Sequence, residues 1–216
     1  MTIRTLTLLL FALSLGACQP ASEINLSGSV QGTTYHIKAV TRGLDLSSEE
    51  LKLDIEAVFQ LIDAELSNWR EDSAISRFNQ QQTTEWQPVS SALLHLVSVA
   101  RDIHDRTDGC YDLTVKPLFD LWGFARHQQA VPADADIRAT LAHVGMHKLD
   151  IDLEGKRLRK QDPKLEVSLD SIAQGYTVAV IAQTLENRGI QHYLAEIGGE
   201  MKVKGTKADG SPWRVA

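Results

Sequence analysis

The residues best placed to do chemistry begin with Gly109-Cys110-Tyr111-Asp112-Leu113-Thr114-Val115-Lys116-Pro117-Leu118-Phe119-Asp120-Leu121-Trp122-Gly123-Phe124. A glycine turn, an extended run, a helix-starting proline and a Leu-Trp-Gly-Phe wall follow one another closely, a mixture that often lines a preformed small-molecule site. Periodicity alone also allows a plainer reading. Asp108-Gly109 would close one helix, Pro117 would open the next, and the aromatics would be ordinary core. A second candidate is Trp69, just past a predicted helix end, where a flat apolar face can stack on a planar ring or simply rest half-buried on the surface.

Amphipathic helices must position these stretches. Ser47-Ser48-Glu49-Glu50 reads as a capping box, and Leu51, Ile55, Val58, Phe59, Ile62 and Leu66 recur behind it at helical spacing, so they are core. Ser90 or Ser91 caps a second helix with Leu93, Leu96, Val97, Ala100 and Ile103 inward, ending at Asp108-Gly109. His95 and His104 on that helix have no histidine or cysteine partner at ligand spacing and read as ordinary helix residues. Residues 80–87 read as polar loop, Ala133 to Val144 as a short helix closed by Gly145, and Lys148 to Lys160 as a hairpin around Glu154-Gly155. Leu26 to Val40 is strand-like, punctuated by Gly28 and Gly32, with Tyr35, Ile37 and Ala39 on one face. Strands from His192 to Ile197 and Met201 to Lys204 flank a Gly198-Gly199 turn. The expected class is α+β, with mixed strands and packed helices in one domain spanning 26–216.

Of 216 residues, 43% are hydrophobic and 23% charged, enough for one sizeable core. The formal charge of −6, with no Lys/Arg block or stripe, argues against a nucleic-acid binder. Residues 1–17 read as a signal peptide. Arg4 opens it, Leu6 to Leu15 form an apolar run too short to span a bilayer, and Leu15-Gly16-Ala17-Cys18 resembles a lipobox. Cys18 would then carry lipid at the head of a tether over 18–25, and Cys110 would be left without a disulfide partner. A plain secretory signal with a chance cysteine is the alternative.

The 109–124 stretch resembles the signature of the ApbE family, the FAD:protein FMN transferases, written Gly-x-(Phe/Tyr/Met)-Asp-(Ile/Leu/Pro)-Thr-Val-x-Pro-Leu-x-x-Leu-Trp-Gly-Phe. Gln31-Gly32-Thr33-Thr34-Tyr35 is similar to the family's Met-Gly-Thr-x-Tyr, and Ser67 to Asn79 to its Ser-x-(Tyr/Trp) segment. Val167-Ser168-Leu169-Asp170-Ser171-Ile172-Ala173-Gln174-Gly175-Tyr176 is similar to Val-Asp-Leu-(Gly/Ser)-x-(Ile/Val)-(Ala/Gly)-(Lys/Glu/Gln)-Gly-Tyr, a strand feeding a helix start, where backbone donors can meet phosphates. The family also shares Ile-Gly-Gly and Pro-Trp-Arg-Val near the end of the chain.

The resemblance implies FAD contacts at Gln31, Trp69, Cys110, Tyr111, Asp112, Ser168 and Gln174, and a magnesium ligand in the Ser171 carbonyl. Trp69 would lie against the flavin, and the Asp112 carboxylate would accept from ribose hydroxyls or the flavin ring N–H. Gln31 replaces a methionine and Ser168 an aspartate. Asp170, two residues on, could share a strand face with Ser168 and supply the missing carboxylate, or could simply cap the following helix. One carbonyl cannot hold magnesium, which wants several oxygen ligands.

The implied activity is magnesium-dependent transfer of FMN from FAD to a threonine hydroxyl of a membrane-associated redox subunit, with release of AMP. The protein would be lipid-anchored on the periplasmic side of a bacterial membrane. A non-catalytic FAD-binding lipoprotein and an FAD pyrophosphatase remain alternatives, and no catalytic residue is assigned. Trp213-Arg214-Val215-Ala216 reads as a strand in progress, with the family's C-terminal third expected beyond it.

Overall fold

The computed structural model describes residues 22–124 and 131–215. The expected signal peptide and Cys18 lie outside the described residues. Two antiparallel sheets and the helices around them make an α+β fold. The first sheet has the order β1 (Glu23–Val30), β2 (Thr33–Val40), β6 (Tyr193–Ile197), β7 (Glu200–Lys204). β1 starts inside the segment read as a tether, because Ile24 is buried opposite Ala39 and belongs to the core face. Ile24, Leu26, Tyr35, Ile37, Ala39, Tyr193, Ala195 and Ile197 are all buried, and their register brings Leu26 to Ile37 and Tyr35 to Ile197. Alternate residues of β1, β2 and β6 therefore face one core, each full burial of a large apolar side chain contributing about 1.5–3 kcal/mol.

Helix α1 (Ser48–Leu66) covers that face together with α6 (Ala173–Asn187). The expected capping box is present, with Ser47 Oγ accepting from Glu50 N at 3.1 Å and the Glu50 carboxylate accepting from Ser47 N at 2.9 Å. The six apolar residues named for this helix are all buried. A short helix α2 (Ala74–Gln80), absent from the sequence reading, follows and is capped by Ser73. Helix α3 (Ser91–Arg106) takes Ser90 rather than Ser91 as its cap. The second sheet has the order β3 (Gln87–Pro88), β5 (Arg157–Lys160), β4 (Leu149–Asp152), so the stretch read as loop ends in a strand residue, Gln87. Lys160 is fully buried, and its ammonium donates to the carbonyls of Asn79 at 2.9 Å and Gln81 at 2.8 Å, closing the C-terminal end of α2.

Two expected strands are not strands. The signature runs through a 3-10 turn (Leu113–Val115) into helix α4 (Lys116–Leu121). Asp112 drives this by capping the turn, while Pro117 pre-sets helical φ in the first turn of α4. Helix α5 (Asp134–Leu141) packs on α4 and stops short of Val144, with Gly145 in the left-handed half of backbone space at φ 138°. Residues 165–169 form no strand either, and the backbone groups of Val167 and Leu169 pair with side chains instead. Asn79 donates to Val167 O and accepts from Val167 N, both at 2.8 Å. Asn68 donates to the same carbonyl at 2.9 Å and accepts from Leu169 N at 2.8 Å. Two asparagines thus do for this segment what a neighbouring strand would otherwise do.

Candidate functional site

A cleft of about 640 Å³ opens where the end of α1, the β1–β2 turn and the start of α6 meet. Its lining includes Gln31, Asp63, Ser67, Trp69, Asp170 and Gln174. The volume is in the range of sites that take a whole cofactor.

Trp69 is displayed on a short loop with a stapled base. Ser67 ends α1, Ser73 begins α2, and Ser73 Oγ donates to Ser67 O at 2.7 Å. Arg70 and Asp72 pair on the same loop, with nitrogen-to-oxygen distances of 2.5 and 2.9 Å. The indole is 65% exposed, so the loop holds a large apolar face open beside the cleft. Asn68, the preceding residue, ties this loop to Val167 and Leu169, which lead directly into Asp170, another residue of the lining.

The floor is the start of α6. Its N-cap, Ile172, has no side chain able to cap, so the first-turn N–H groups carry no side-chain acceptor and the positive end of the helix faces the cleft beside Ala173 and Gln174. Gly198, at φ 57°, allows the β6–β7 turn to approach closely. A Cβ there would meet Thr33 Cγ2 at 2.9 Å and Gln174 Oε1 at 3.3 Å. Gln31, at φ 50°, and Gly32, at φ 74°, form the two-residue hairpin turn between β1 and β2, both left-handed as such a turn requires.

Of the residues expected to bind FAD, the structure brings Gln31, Trp69 and Gln174 to this cleft and not Cys110, Tyr111, Asp112 or Ser168. Asp112 is occupied by the protein itself. One carboxylate oxygen accepts from Thr114 N at 2.7 Å and Thr114 Oγ1 at 2.5 Å, the other from Met146 N at 3.1 Å. Thr114 Oγ1 in turn accepts from Gly145 N at 2.6 Å, so the signature's Asp and Thr bolt it to the loop ahead of β4. His104 Nδ1 lies 2.7 Å from Tyr111 O, and Tyr111 OH lies 2.9 Å from Ser171 Oγ, making a chain from α3 toward the start of α6. His95 packs its ring against Tyr176, 5.9 Å between centroids. The Leu-Trp-Gly-Phe segment does not wall the cleft; Phe119 and Phe124 pair edge to face on the surface, 5.7 Å apart.

Ser168 is buried, and its N–H donates to Leu113 O at 2.8 Å. Asp170 is exposed and lines the cleft, so without strand geometry the two do not share a face. Nor does Asp170 cap α6, whose N-cap is Ile172. Asp63 was missed in the sequence reading. Its signal is its place between the inward-facing Ile62 and Leu66 in the last turn of α1. Among the described residues no three His, Cys, Asp or Glu side chains converge to hold a metal ion. The Ser171 carbonyl therefore has no carboxylate cluster around it, and the described residues do not fit a complete magnesium site.

The α+β scaffold is shared with related proteins of known structure. The flavin transferase ApbE from Vibrio cholerae superposes with a TM-score of 0.86 at 39% identity, over 91% of this chain and 63% of that one. Pseudomonas stutzeri flavinyl transferase ApbE, apo form, gives 0.86 at 37% identity, over 91% and 66%. A family model described as the ApbE family matches residues 31–216. The FAD:protein FMN transferase of Vibrio cholerae serotype O1 is 40% identical over 207 residues, which are 94% of this chain and 61% of that protein. That of Haemophilus influenzae is 36% identical over 95% of this chain and 61% of its own length. The chain belongs to the ApbE family. It spans about 61% of the length of these two relatives.

Proposed function

We propose that this protein is an FAD:protein FMN transferase, or the FAD-binding portion of one, held by lipid on Cys18 at the periplasmic side of a bacterial membrane. FAD would occupy the cleft with its isoalloxazine against Trp69 and its pyrophosphate at the N-terminal end of α6. The carboxylates of Asp63 and Asp170 would accept from hydroxyl and ring N–H groups, the donors FAD offers besides its phosphates. The observation that carries this reading is that Trp69, exposed on a stapled loop, lines the same cleft as a helix start without a side-chain cap, in a chain of this family.

In the reaction a threonine hydroxyl of a membrane-associated redox protein attacks the FMN-side phosphorus of FAD. A new phosphorus–oxygen bond to threonine forms, the pyrophosphate bond to AMP breaks, and the hydroxyl proton passes to a base. Magnesium belongs to this reading through the family resemblance, and its ligands beyond the Ser171 carbonyl are not among the described residues. A second reading, an FAD binder without transfer, is favoured by Ser168, which stands buried where the family pattern has a carboxylate.

The deciding experiment titrates the purified chain with FAD, then adds magnesium and an acceptor protein while AMP and covalent flavin are followed. Transfer supports the first reading, binding without AMP supports the second, and AMP without flavinylated acceptor marks an FAD pyrophosphatase. Failure to bind FAD would sink all three. Labelling with radioactive fatty acid that disappears in Cys18→Ser checks the anchor.

A further inference from the structure

The Thr177 hydroxyl lies 2.7 Å from Ala173 O, one turn back along α6, and donates its proton there. A hydroxyl has one proton, so Thr177 Oγ1 can only accept from its other partner, the Gln31 side chain 3.0 Å away. That fixes the amide with Nε2 toward Thr177 and Oε1 on the other side. Oε1 is then buried without a hydrogen-bond partner, on a residue that lines the cleft. Buried acceptors lacking a donor are uncommon and mark places where a partner is expected. The methionine of the family pattern has no such oxygen, which makes the acceptor a feature of this chain.

We propose that Gln31 is a specificity-determining residue whose Oε1 accepts a hydrogen bond from a ring-edge N–H of the nucleotide in the cleft. The inference rests on the reading of the cleft as an FAD site. FAD carries this chemistry in two places, the N3–H of the flavin and the 6-amino group of the adenine. Either ring can stack on Trp69 while its edge reaches the cleft wall.

The full chain is titrated with FMN, with FMN methylated at N3, with ADP, and with ADP dimethylated on the 6-amino group. Methylation in one of the two pairs is expected to weaken binding to the wild type about tenfold, the worth of one well-made hydrogen bond. The same methylation should cost nothing in Gln31→Met. A response of the flavin pair puts the flavin edge at Gln31, and a response of the adenine pair puts the adenine edge there. If Gln31→Met proves unstable, Thr177→Val, which frees the amide to turn, takes its place and should shrink the same cost. A result in which neither unmodified FMN nor unmodified ADP binds better than its methylated form overturns the inference while leaving the FAD reading intact. So does a methylation cost that persists in the variants, since it reports a clash elsewhere. A wild type that binds neither FAD, FMN nor ADP removes the reading and the inference together.

Discussion

Trp69 separates binding from folding better than any other cleft residue. An indole left 65% exposed contributes little to the core, while its loop is held by Ser73 and Asn68 rather than by the ring. Trp69→Ala should therefore change stability by no more than about 0.5 kcal/mol and weaken FAD binding by about tenfold or more. Isothermal titration beside a thermal melt reads both, and a variant with unchanged affinity would remove the tryptophan from the flavin. Gln31 and Gln174 were legible as candidates only through the family resemblance, and Trp69 through that resemblance together with its place just past a helix end, where a flat apolar face can stack. Asp112 was not legible in its actual role. A carboxylate filled by a ligand and one filled by Thr114 and Met146 look alike in sequence, and the second donor lies far along the chain.

Elements whose signals are local came out as the sequence indicated. α1 and α3 have caps, apolar periodicity and clear stops, so no distant partner was needed to define them. The segments at 109–124 and 165–169 depend on donors and acceptors from elsewhere, and there an apolar run suggested strands that do not form. Lys160 belongs to the same class of surprises, a charged residue in a short strand that the fold buries against the end of α2. Desolvation, partly offset by the nearby carboxylates of Glu166 and Asp162, lowers its pKa from the ordinary 10.5 to about 8. Below pH 8 the lysine is protonated in both folded and unfolded chains, and the cost of burying the ammonium is fully present. Between pH 8 and 10.5 the unfolded chain holds the proton more tightly, so that cost fades and stability rises with pH. Urea unfolding across this window should show the wild type gaining on the order of 3 kcal/mol relative to Lys160→Met. Parallel stability curves for the two proteins would contradict the depressed pKa.

Across the molecule, the cleft is a joint between the first sheet and the helices laid on it, and Gly198 is a point of close approach within that joint. Gly198→Ala must accommodate both φ 57° and a Cβ 2.9 Å from Thr33 and 3.3 Å from Gln174. Gly210, at φ 83° with open space around it, supplies the comparison. Gly210→Ala is expected to lose about 1 kcal/mol of stability with FAD affinity unchanged, whereas Gly198→Ala should lose about 2–3 kcal/mol and bind FAD more weakly because Gln174 is displaced. Equal affinity in the two variants would detach the sheet from the site. The sheet order was only partly readable beforehand, because β6 joins β2 across more than a hundred residues that carry no pairing signal of their own. The asparagine clamps give the assembly one more property. The amides of Val167 and Leu169 can meet solvent only when Asn79 of α2 or Asn68 beside the Trp69 loop lets go. In hydrogen exchange this ladderless segment should keep the slow clock of the helices that grip it, so that one wall of the cleft opens only together with the core.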